Sequence, residues 1–162
     1  MSTSTGTDTA KSERLSLSEA AELLIDECRM VLPGIQSLFG FQLIVVFSQG
    51  FQDKLDNFEQ LLHLLAVALI AIAIALIMMP AAAHRQMDPC EVTRGFIGLC
   101  RRVLLLSMVP LAIALCIDFY LVARVITGST DVAWLAIGLL AVFVLLWFVL
   151  PRALRARLRA AE

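Results

Sequence analysis

Residues 61–83 read LLHLLAVALIAIAIALIMMPAAA, twenty-three positions in which His63 is the only ionisable side chain. An unbroken apolar run beyond about 18 residues is long enough to carry a helix across about 30 Å of hydrocarbon. Three further stretches share this character: Val31–Phe47 with Gln36 and Gln42, Val103–Ile126 with Pro110, Asp118 and Arg124, and Ala133–Leu150 with both tryptophans. The first, at 17 residues, is short enough to suit a re-entrant or interfacial helix as well. The expected fold is all-α, an integral membrane four-helix bundle with two cytoplasmic amphipathic helical extensions. The domain reading is a disordered tail over 1–14, a membrane domain over 15–151 with spans near 31–47, 61–83, 103–126 and 133–150, and a basic tail over 152–162.

The composition agrees. Of 162 residues, 60% are apolar and 17% charged, against about 45–50% and 25% in soluble domains, and the mean hydropathy is +0.86. A net charge of −1 gives no basic field for nucleic acid, which is excluded as a partner. Residues 1–12, MSTSTGTDTAKS, are small and polar without apolar period, so no cleavable signal is expected. Cys28, Cys90, Cys100 and Cys116 show no C-x-x-C spacing, which speaks against a disulfide framework.

Orientation follows from the basic residues. Eleven lie before span one, between spans two and three, or after span four, against Lys54 and Arg124 in the remaining connections. Basic residues accumulate on the cytoplasmic side, so both termini are expected there, in the bacterial cytoplasmic membrane. The arginines of PRALRARLRAAE, residues 151–162, fit contact with anionic lipid headgroups, and Trp147 and Phe148 fit interface anchors. Partners expected are the bilayer and those headgroups, with a homo-oligomer left open.

Two segments before spans read as helices. Ser16 with Glu19 forms a capping-box pattern, followed by Leu17, Ala20, Leu24, Cys28 and Val31 at helical spacing. Asp88-Pro89-Cys90-Glu91 is a second start signal. Its stripe of Val92, Phe96, Leu99 and Val103 runs into span three, as the first half of one long helix or as a helix lying in the interface.

The run from Glu27 to Phe41, ECRMVLPGIQSLFGF, with Phe47, Phe51 and Phe58 beyond it, resembles a bacterial family of short four-span membrane proteins catalogued only as a domain of unknown function. Pro80 with His84-Arg85 fits it, as does Asp88 to Ile126 with Asp118-Phe119-Tyr120 and Arg124. The likeness covers about residues 20–150 and implies fold and location rather than chemistry. Some members carry an automatic sodium:proton antiporter label.

Asp118 is the costliest residue to place, about 12 Å inside the outer end of span three. A carboxylate there costs about 2.5–3.5 kcal/mol on insertion scales, so it is either a proton- or cation-responsive site or a carboxyl bonded to neighbouring helices. Depth puts Gln42, His63 and Arg124 in the same outer half, and these four form the candidate intramembrane polar site. Arg124 lies about 240° around the helix from Asp118, which disfavours direct pairing. Snorkelling to the interface is its plainer reading, and an interfacial histidine is that of His63. His84, Asp88, Cys90 and Cys100 match no zinc template, and no G-x-S-x-G, Walker loop or H-E-x-x-H occurs. No metal, cofactor or catalytic residue is therefore expected, and the chain is expected not to be an enzyme. Two functions compete: a helix-packing or oligomerising module, for which Ala66, Ala73, Ala71 and Ala75 offer a small-residue surface, and a small transporter centred on Asp118.

Overall fold

The computed structural model describes residues 17–86 and 94–160. Every regular element among them is helical. Helix α1 runs Leu17–Val45, a short α2 covers Gln49–Lys54, α3 is Asn57–Gln86 and α4 is Arg94–Thr127. A single 3-10 turn, Thr130–Val132, leads into α5 (Ala133–Val144), a π-helical stretch (Leu145–Val149) and α6 (Leu150–Ala160). Four helical segments have the length and apolarity to cross a membrane: Glu22–Val45, Asn57–Ala83, Gly95–Thr127 and Thr130–Ala160. The chain is an all-α membrane four-helix bundle.

The segments expected to precede spans one and three are not separate pieces. Residues 17–30 continue into span one as one helix, and from Arg94 the second continues into span three. The cap signals at Ser16 and Asp88–Glu91 lie outside the described residues. Prolines do not stop these helices: Pro33, Pro80 and Pro110 all sit inside them. A proline removes one backbone donor and crowds the preceding turn, yet α3 runs six residues past Pro80, and the basic tail after Pro151 is helical through Ala160.

Three helices pack through one repeated spacing. On α3, Glu59, His63, Ala66, Ile70, Ala73, Ile77 and Pro80 alternate steps of four and three, and every one is buried. On α4 the buried Cys100, Ser107, Ala114 and Leu121 are seven apart. On α1 the same steps join Cys28, Leu32, Ile35, Phe39 and Gln42, with Ile35 and Gln42 buried. An average spacing of 3.5 keeps one stripe facing its partners along a left-handed crossing. Ala66, Ala73 and Ala114 are fully buried, and such small side chains let helices approach closely where lipid supplies no hydrophobic drive. The alanines of α3 therefore divide: Ala66 and Ala73 are buried within the chain, while Ala71 and Ala75 face outward.

The fourth span is peripheral. Helix α5 packs on α4, but none of the residues from Ala133 to Ala160 is buried. The turn leading to it is tight because Gly128, at φ +69°, closes α4 with its N–H on the Arg124 carbonyl at 2.9 Å. Ser129 then caps the next turn, accepting the Asp131 N–H at 3.1 Å.

Candidate intramembrane polar site

Glu59 begins the site. Just before the apolar run of α3, Asp56 Oδ1 accepts the Glu59 N–H at 2.8 Å and Glu59 Oε2 accepts the Asp56 N–H at 3.1 Å. This is a reciprocal capping box that satisfies two of the helix's first donors. The second carboxylate oxygen, Oε1, is left for another helix: it lies 2.9 Å from Arg124 Nε on α4. Glu59 is almost fully buried and the Arg124 side chain 26% exposed. Nε is out of line for a hydrogen bond, so the contact is an ion pair.

One turn further along α3, His63 stands between α1 and α4. Its Nε2 is 3.1 Å from the Gln42 carbonyl oxygen, its Nδ1 is 3.8 Å from Asp118 Oδ1, and the Phe51 ring meets it edge-on with centroids 5.2 Å apart. A carbonyl oxygen only accepts, so Nε2 carries a hydrogen. Gln42 Nε2 donates to Asp118 Oδ2, and Gln42 Oε1 is buried without a partner among the described residues. Helix α2 closes the top: Phe51 and Leu55 are buried against Leu121, with Leu62, Ile117 and Tyr120 around them.

All four candidate residues therefore lie toward the same end of the bundle, in two contact groups about 9 Å apart along α4. Gln42, His63 and Asp118 meet directly, while Arg124 faces away from Asp118 and pairs with Glu59. Arg124 does not snorkel freely, because Glu59 offers a desolvated counter-charge within reach. His63, expected at the interface, is 5% exposed, with the Phe51 ring against it. Glu59 itself was missed, although Asp56-Asn57-Phe58-Glu59 ahead of an apolar run is a capping signature, and Glu59 and His63 are four apart on one helix face. Of the His84, Asp88, Cys90 and Cys100 set, Asp88 and Cys90 lie outside the described residues. Among the described residues no three His, Cys, Asp or Glu side chains gather to hold a metal.

Fold and cluster together define a small multi-span membrane protein whose buried polar groups join three of its helices. The model of a family of unknown function (DUF6328) matches residues 9–151, and the chain belongs to that family. No curated protein and no solved structure matches it.

Proposed function

We propose that the chain is a non-enzymatic helix-packing membrane module, seated in the bacterial cytoplasmic membrane with both termini in the cytoplasm. The observation that carries this reading is that the contacts of the cluster run from helix to helix. Gln42, His63 and Asp118 tie α1, α3 and α4 to one another, and Glu59 spends both carboxylate oxygens on its own helix start and on Arg124. Polar groups placed to satisfy each other across helices fix packing, whereas a conduction path needs lining groups open to water.

A second reading rests on the His63–Asp118 contact. With Nε2 facing the Gln42 carbonyl, Nδ1 is the ring nitrogen turned toward the carboxyl. An acid beside an imidazole at 3.8 Å, with the unpartnered Gln42 Oε1 next to them, is what a small proton- or cation-coupled transporter centred on Asp118 would use.

Purified protein in vesicles containing a pH-sensitive dye separates the two. Under imposed proton or sodium gradients, the packing reading expects the same dye response as in protein-free vesicles. A protein-dependent flux abolished by Asp118→Asn would overturn it in favour of transport. Orientation has its own test in reporter fusions after residues 55 and 160. They are expected on opposite sides of the membrane, and a shared side would sink the four-span arrangement.

A further inference from the structure

Between α1, α4 and the inner half of span four lies a cleft of about 640 Å³. Span four touches α4 mainly through α5, so beyond the π-helical stretch it diverges and leaves a wedge. Met108, Leu111 and Trp147 line its apolar depth, and Arg101, Arg152 and Arg155 its outer part, with Glu27 the only acidic residue in the lining. Trp147 thus faces the cleft, and its ring also meets that of Phe143 at a tilt, with centroids 4.7 Å apart. The π turn sets this face: from it Trp147, Pro151, Arg152 and Arg155 follow at helical spacing down one side, and Arg152 lies 5.9 Å over the Phe148 ring.

The dimensions select the occupant. From Leu111 to Arg101 along α4 is ten residues, and from Trp147 to Arg155 eight, which is about 12–15 Å of helix from apolar depth to basic rim. One leaflet contributes half of a hydrocarbon layer about 30 Å thick, roughly the same length. A small anion alone would leave the apolar depth unused. Three guanidinium groups against one carboxylate favour a phosphate, which arginine engages through paired donors.

We propose that this cleft binds one anionic phospholipid of the inner leaflet, its acyl chain against Met108, Leu111 and Trp147 and its phosphate among Arg101, Arg152 and Arg155. The leaflet assignment rests on the orientation proposed above, which the fusion experiment tests separately.

Trp147 reports on the cleft once Trp134, the only other tryptophan, is replaced by Trp134→Phe. The full chain is reconstituted in vesicles carrying phosphatidylglycerol or phosphatidylcholine with brominated acyl chains, and quenching of Trp147 is compared at equal bromine. Enrichment of phosphatidylglycerol at Trp147 by about fivefold or more is expected. The combined Arg101→Gln, Arg152→Gln, Arg155→Gln variant should lose it, while Arg157→Gln with Arg159→Gln, in the same helix but outside the lining, should retain it. Soluble inorganic phosphate should not compete. Equal quenching by the two lipids, weak quenching by both as when another protein segment fills the cleft, or equal loss in both arginine variants would each overturn the proposal.

Discussion

Asp118→Leu is expected to lower the unfolding free energy in detergent micelles by about 1–3 kcal/mol. The carboxyl accepts from Gln42 Nε2 and faces His63 Nδ1. Leucine leaves both groups buried without that partner, while Gln42 Oε1 already has none. Asp118→Asn should cost less than about 1 kcal/mol, because its carbonyl can accept from Gln42 and its NH₂ can donate to Nδ1. Thermal and denaturant unfolding followed by circular dichroism would show the separation. Equal losses for Asn and Leu would mean that charge, not hydrogen bonding, holds the cluster, and the packing reading would fail.

The second large effect is expected at Glu59 and Arg124. Exposed ion pairs contribute about 0–1 kcal/mol, and removing one partner of a fully buried pair costs about 3–5 kcal/mol. Here one partner is enclosed and the other 26% exposed, which places Glu59→Gln and Arg124→Gln near 2 kcal/mol each, about midway between those limits. Glutamine keeps an oxygen for the Asp56 N–H, so the helix start survives and the loss reports on the pair. The double variant should recover about 1–2 kcal/mol relative to the sum of the singles. Strict additivity in that cycle would show that the two charges do not stabilise each other.

Much of this was legible along the chain. Apolar length located the membrane-crossing helices, and depth arithmetic put Gln42, His63, Asp118 and Arg124 in the same outer half, because rise per residue is nearly constant in a helix. The 240° offset correctly separated Arg124 from Asp118. What depth cannot supply is rotation: which side of α3 faces α4 depends on all three helices packing at once. The four-and-three spacing on α3 carried that information, since His63, Ala66, Ile70, Ala73 and Ile77 lie on one stripe, and extending it back by one step reaches Glu59. The cleft beside Trp147 was less visible still. An aromatic residue near a span end reads equally as an interface anchor, and only the divergence of span four after the π turn separates the two.

The stripe on α3 has a further consequence, for uniqueness rather than strength. Ala66 recurs as Ala73 and Ile70 as Ile77, each seven residues on, so sliding α3 by one heptad, about 10 Å, would set alanine in place of alanine and isoleucine in place of isoleucine. The middle of the apolar seam barely distinguishes these alignments, although at its far end Pro80 would take the place of Ala73. Glu59 and His63 occur once, and in the slipped alignment Asp118, Gln42 and Arg124 would meet aliphatic side chains with no donor or counter-charge. The cluster therefore acts as an indexing key, making a periodic seam lock in a single register, as one buried polar position does in a coiled coil.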